Sequence, residues 1–154
     1  MKYLLVFLIS MVPVIELRGA VIYAAAVELP VVPALAICTL GNMIPVPFIY
    51  FFARGALKWG SERKYIGRAC NFLLVKGESA GRKLTEAAGR KGSFVALLLF
   101  VGIPIPGTGA WTGTLAASLL NMGFKTTMAA ACLGIIMSGS IMMALSMLGF
   151  GIFT

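Results

Sequence analysis

Histidine and aspartate are absent from this 154-residue chain, and glutamate occurs five times. Without histidine or clustered carboxylates there is little from which to build a transition-metal centre. The three cysteines, Cys38, Cys70 and Cys132, have neither paired nor metal-ligand spacing. Cys38 and Cys132 lie in apolar stretches and read as small packing residues. The sequence has no phosphate-cradling glycine loop and no nucleophile beside a base. An enzyme is therefore not expected, nor a metal or cofactor. Charge of either sign is scarce, at 12% of residues, where an ordinary soluble domain has about 25%.

What fills the chain instead is apolar. Hydrophobic residues make up 60%, and the mean hydropathy is +0.97. This composition predicts an all-α integral membrane protein forming a single domain over residues 1–154. Eighteen glycines suit membrane helices that approach closely through small side chains. The net charge of +8 is concentrated in one segment, and nucleic acid is not expected as a partner.

The rest is organised around Ile103-Pro104-Ile105-Pro106-Gly107-Thr108-Gly109-Ala110-Trp111. Two prolines stop a helix from running through undisturbed. The flanks, Phe94 to Gly102 and Ala110 to Leu120, are apolar. Each is shorter than the roughly 20 residues a membrane-crossing helix takes. The pattern predicts a re-entrant hairpin, entering and leaving by one face. Irregular backbone at that depth survives only where protein or a water-filled cavity satisfies it. A polar cavity near the midplane is thus expected.

A second hairpin of the same kind is expected at the start. Tyr3 to Val12 is a short apolar helix, Pro13 begins a break, Glu16-Leu17-Arg18-Gly19 forms the tip, and Ala20 to Val27 runs back. A secretory signal cleaved near Ala24-Ala25-Ala26 would start similarly, but Glu16 and Arg18 interrupt its spacer. Val31 to Ala53 is long enough to span, kinked around Gly41-Asn42, Pro45 and Pro47. Arg54 to Lys91 holds ten of the thirteen basic residues and three glutamates, a net +7, which predicts a cytoplasmic loop. Within it, Tyr65, Ile66, Ala69, Phe72 and Leu73 recur at helical spacing and predict an interfacial helix. Gly92 to Asn121 is the central hairpin, and Thr126 to Gly151 spans again.

The two halves share an order: short helix, break, short helix, spanning helix. Repeat one covers 1–53, the basic loop 54–91 and repeat two 92–154. Gly19-Ala20 aligns with Gly109-Ala110, and Leu40-Gly41 with Leu133-Gly134, if three residues are inserted near Leu120 to Met122. One crossing per half inverts the second half relative to the first, an arrangement common among secondary transporters.

Glu16 and Arg18 are the charged residues flanked on both sides by apolar segments, and intramembrane charge is a functional candidate by default. Glu16 can load a proton or neutralise a cation; Arg18 can hold a phosphate or carboxylate. They can also simply pair with each other. Pro104, Pro106, Gly107, Thr108 and Gly109 offer backbone N–H groups at a helix start, which attracts anions. Thr108 is equally suited to capping that helix. Gly19 and Trp111 complete the candidate site, with Asn42, Arg54 and Asn121 as lesser candidates.

Glu16-Leu17-Arg18-Gly19-Ala20, Gly41-Asn42-Met43-Ile44-Pro45 and Ile103 through Gly113 together resemble the small multi-drug export protein family, over essentially the whole chain. That family is in turn similar to the DedA-like superfamily. The resemblance implies two re-entrant hairpins and two spanning helices, and a link to lipid translocation such as undecaprenyl phosphate recycling or phospholipid scrambling. DedA-like proteins carry arginines in the second hairpin; here the arginine is Arg18, in the first. The expected function is a multi-pass cell-membrane transporter of an amphipathic, anionic substrate such as a lipid phosphate, with Glu16 coupling protons. Proton-driven efflux of cationic drugs and a non-transporting assembly role are the alternatives. A homodimer is expected on size grounds.

Overall fold

The structure is a computed structural model that describes residues 1–12, 15–63, 65–105 and 108–153. Every regular element among the described residues is an α-helix: α1 (Lys2–Met11), α2 (Glu16–Ala26), α3 (Val31–Met43), α4 (Pro45–Ser61), α5 (Gly67–Gly102), α6 (Ala110–Leu119) and α7 (Phe124–Phe153). A helix closes its own backbone hydrogen bonds, which is what an apolar surrounding demands.

Two stretches are long and apolar enough to cross a membrane: Val31–Ser61, of mean hydropathy 1.7, and Phe124–Gly149, of mean hydropathy 2.0. The first joins α3 and α4 at Ile44, where Pro45 supplies the first residue of α4. Proline fits a helix start because its missing N–H has no partner there anyway. The span was expected to end at Ala53, but α4 continues to Ser61, about two turns into the basic segment. Large apolar side chains face outward along these helices, among them Phe48, Phe51, Leu133, Leu145 and Phe52, which is 70% exposed. Apolar surface this extensive suits lipid rather than water.

The basic segment is more helical than the one helix expected within it. It is helical at both ends, with α4 running in and α5 running out. α5 is two helical stretches that meet at a kink at Gly89, where φ is +65° and ψ is −176°. Glycine takes that backbone without a steric cost. Tyr65, Ile66 and Phe72 are exposed.

Helix packing follows a cross-over scheme. α1 packs on α2 and α3, and α5 packs on α6 and α7. The second helix of each pair also reaches into the other half, α2 against α7 and α6 against α4. Burial recurs with a fixed step. Leu17, Ala20, Val21 and Ala24 are buried in α2; 93 positions later so are Ala110, Gly113, Thr114 and Ala117 in α6. Ala34, Cys38, Gly41 and Asn42 of α3 are answered by Thr127, Ala131, Gly134 and Ile135 of α7. Gly41 and Gly134 mark matching close approaches. A Cβ on Gly41 would lie 2.7 Å from the Phe7 carbonyl oxygen, and one on Gly134 would lie 3.0 Å from that of Leu98.

The ends of α2 and α6 match as well. Leu29 N–H donates to Ala24 O and Glu28 N–H to Ala25 O; Met122 N–H donates to Ala117 O and Asn121 N–H to Ser118 O. This is the Schellman closure, and it puts the residue after the cap in the left-handed region. Glu28 has φ of 55° and Asn121 of 56°. The expected three-residue insertion near Leu120 to Met122 is therefore not there. The buried positions of α1 (Val6, Ser10) recur 91 residues later as Leu97 and Val101. The second half thus gains two residues between its first and second helices, in the break. In this register Gly109 answers to Glu16, not to Gly19.

Candidate functional site

The two breaks meet face to face. α5 ends at Gly102 and α6 begins at Ala110, so Ile103 to Gly109 leaves carbonyls at one helix end and amides at another. α2 delivers one charge to each. Glu16 was expected in a hairpin tip, but it begins α2, with φ of +49°. Its carboxylate Oε1 accepts the Trp111 N–H at 3.1 Å, in the first turn of α6. Arg18, two residues further along α2, reaches the carbonyl side. Its Nη2 donates to Thr108 O at 2.6 Å and to Thr108 Oγ1 at 2.9 Å, and its Nη1 donates to Ile105 O. A longer contact of 3.5 Å joins Nη2 to Ile103 O.

The polarity is complementary. A helix N-terminus carries partial positive charge and a C-terminus partial negative charge. Glu16 faces the start of α6 and Arg18 faces the carbonyls that follow α5. The hydrogen bonds of these two side chains, among the described residues, go to the second break and not to each other. Glu16 is 7% exposed. Gly109 makes room for it: a Cβ there would overlap the Glu16 carboxylate.

Behind this junction lies a cavity of about 10 Å³, lined by Glu16, Arg18, Asn42, Gly109 and Ser138 together with apolar neighbours. It holds room for about one water-sized probe. Asn42 is 2% exposed, and its Oδ1 has no hydrogen-bond partner among the described residues. Trp111 Nε1 and Thr114 Oγ1 are likewise buried without one. No group of three or more acidic, histidine or cysteine side chains that could hold a metal occurs among the described residues.

Glu16, Arg18, Thr108, Gly109 and the Trp111 backbone therefore come together, and Asn42 joins them at the cavity. Pro104 sits between the Ile103 and Ile105 carbonyls that Arg18 approaches. Pro106 and Gly107 lie outside the described residues. Gly19 does not face this junction in the same way: a Cβ on it would strike Ile15, which makes it a packing glycine. Arg54 and Asn121 meet each other instead, Arg54 Nη1 donating to Asn121 Oδ1. Nearby, Tyr50 donates to Met122 O, and Ser118 Oγ donates to Tyr50 O at 2.7 Å. That cluster ties α4 to α6 and does not line the central cavity.

Sequence reading missed the Ile103 and Ile105 carbonyls, which have no side-chain signature. It also passed over Ser138 as a site residue; the 93-residue step places Ser138 opposite Pro45, and could have flagged it.

The sequence model of the family described as "Putative small multi-drug export protein" matches residues 16–141. No curated protein and no solved structure shows a significant match. With most of its length matched, from Glu16 through the cavity-lining Ser138, the chain belongs to that family.

Proposed function

We propose that this member of the small multi-drug export family is a multi-pass plasma-membrane transporter that carries an amphipathic, anionic substrate, a lipid phosphate, past the junction of its two helix breaks. In this reading residues 1–53 and 92–154 are inverted repeats, each a re-entrant hairpin followed by a spanning helix, and residues 54–91 face the cytoplasm. The recurrence of burial and helix ends 93 residues apart supports the repeat. The reading rests above all on one observation: Glu16 and Arg18 of the first hairpin are bonded to the backbone of the second. Ionisable groups between transmembrane elements mark substrate and ion pathways.

Phosphate oxygens and backbone carbonyls compete for the same donors. An anionic head group arriving at Arg18 replaces the carbonyls of Ile105 and Thr108 with a stronger acceptor, because charge-assisted bonds outweigh neutral ones. Release of those carbonyls frees the second break to change shape, so substrate binding and hairpin movement are one event. Glu16, held by the α6 amide, is the group through which protons couple to that movement. The basic segment draws anionic head groups to the cytoplasmic mouth, at about 1 kcal/mol per Lys or Arg near an anionic surface. In this reading the likeness to DedA-like proteins extends to the class of substrate.

The test is purified protein in liposomes, comparing movement of a labelled anionic phospholipid with efflux of a cationic dye under an imposed pH gradient. Anionic lipid movement that is lost in Arg18→Gln is the expected result. Dye efflux that needs Glu16, without lipid movement, would establish cationic drug export instead. No flux of either kind would point to an assembly role. Topology is checked separately in intact cells: Cys70, within the basic segment, should resist an impermeant thiol reagent added from outside.

A further inference from the structure

Where the second hairpin opens, two cavities meet at Thr126. One, of about 580 Å³, is walled by Ser93 of α5, the turn Asn121-Met122-Gly123 and the first residues of α7. The other, of about 420 Å³, runs over Phe94 and Val95 of α5. Ligand sites span about 300–1,000 Å³, so the pair forms a groove large enough for a head group and part of a chain. The helix from Lys91 to Gly102 rises about 18 Å and joins this groove to the second break.

The groove is positive. Lys125 lines the first cavity and Lys91 the second, each from a different helix, and both are exposed. Arg54 adds a third cation at the rim, bonded through Nη1 to Asn121 Oδ1. Among the described residues no carboxylate lines either cavity. The nearest glutamate in sequence, Glu86, precedes the Gly89 kink. Beside the charge the wall is apolar and held in place: the Phe124 ring lies 5.3 Å from that of Tyr50 and 4.9 Å from that of Phe51. The repeat offers an internal control. Gly123, Phe124, Lys125 and Thr126 are matched in the first half by Pro30, Val31, Val32 and Pro33, which carry neither charge nor hydroxyl.

We propose that this groove holds one anionic phospholipid of the surrounding bilayer, its phosphate between Lys91, Lys125 and the Thr126 hydroxyl and its chains along Phe94 and Val95. Charge complementarity chooses the occupant. A zwitterionic head group would bring its own cation against the lysines. A free phosphate would leave the apolar floor uncovered, whereas burying that floor under a chain is favourable. Lysine suits the task, since its stem lies along apolar surface while the ammonium reaches a phosphate. Passage of such a lipid from the groove to Arg18 rests on the transport reading; the lipid site itself does not.

The experiment counts lipids bound to the full chain by native mass spectrometry, in neutral detergent with added phosphatidylglycerol or phosphatidylcholine. The wild type should bind one phosphatidylglycerol more tightly than phosphatidylcholine. Lys91→Gln/Lys125→Gln should weaken phosphatidylglycerol by about 30-fold, at about 1 kcal/mol per lysine, and leave phosphatidylcholine unchanged. Lys58→Gln/Arg68→Gln removes the same charge from the basic segment and should bind phosphatidylglycerol as the wild type does. All four side chains are exposed, so both variants should melt with the wild type. An equal loss in the two variants would mean diffuse attraction to net charge and overturns the site. Equal binding of the two lipids by the wild type, a reading that needs no variant, also overturns it. Displacement of phosphatidylglycerol by an equal concentration of inorganic phosphate would assign the groove to a free anion and overturn the lipid. Specific phosphatidylglycerol binding without any lipid movement in liposomes would sink the transport reading and leave this site standing; lipid movement without specific binding would do the reverse.

Discussion

The chain interrupts its helices twice in corresponding places, after α1 and after α5, and the two interruptions are satisfied in opposite ways. The first is short and recovers locally. Glu16 N–H donates to Val12 O at 2.9 Å and Gly19 N–H to Ile15 O at 3.0 Å, so helical bonding resumes at once. Among its described residues Glu16 is held at positive φ, a strained backbone for a residue with a side chain. The second runs from Ile103 to Gly109, and among its described residues Ile105 N–H donates to Ile103 O at 2.8 Å and Thr108 N–H to Ile105 O at 3.1 Å. It also takes partners from the first, a guanidinium on its carbonyls and, where α6 begins, a carboxylate on the Trp111 amide. Charge in one break and bare backbone in the other make each the condition for the other's shape.

Removing the borrowed donor should do the most damage. Arg18→Ala strips the Ile105 and Thr108 carbonyls of their charged partner and should cost about 3 kcal/mol, read from unfolding in mixed detergent. Charge pairing alone would let Glu16→Gln restore what Arg18→Gln loses. Here the double variant should be at least as unstable as Arg18→Gln, because the two side chains bond to the break rather than to each other.

Next comes the contact at Gly109. A Cβ there overlaps the Glu16 carboxylate, so Gly109→Ala should cost about 2 kcal/mol as overpacking. In a Glu16→Gly background the same change should cost little. A cycle of the four proteins should give a coupling of about 1 kcal/mol or more; a coupling near zero would mean that the breaks do not touch as described.

A smaller loss, about 1 kcal/mol, is expected for Thr108→Val, which removes the hydroxyl that accepts from Arg18 and lies 2.8 Å from Ile105 O. The smallest effect is a gain. Glu28 and Asn121 take the same left-handed backbone without being glycine. Glu28→Gly should stabilise by about 0.5 kcal/mol. Asn121→Gly should gain less, since it forfeits the bond from Arg54. Thermal melts of the two variants side by side measure that difference.

Much of this architecture could be read from the residues, because proline, glycine and apolar runs act locally. Pro104 announced the second break, and the ends of α1, α6 and α7 fall within a few residues of expectation. Glu16 and Arg18 stood out because charge in an apolar setting is rare. Their partners could not be read, since carbonyls and amides are present at every residue and only folding decides which are left over. The helical spacing of Tyr65 to Leu73 within the basic segment is met by the start of α5 at Gly67, but its helical extent is greater than the spacing showed. Lys and Arg are good helix formers, and non-helical backbone is found within α5 at Gly89. Two glycines, Gly19 and Gly109, look alike in sequence and do different work: one admits Ile15, the other admits Glu16.

That last pairing reaches further than packing. Glu16 and Gly109 stand 93 residues apart in matched positions, and the acid of one half fills the space its counterpart leaves. The junction is therefore lopsided: one side brings an acid, and the other brings a bare Cα. Any side chain at position 109 would contest the space that the carboxylate holds. The seat of the one buried acid near the central cavity is thus reserved by a residue that contributes no side chain.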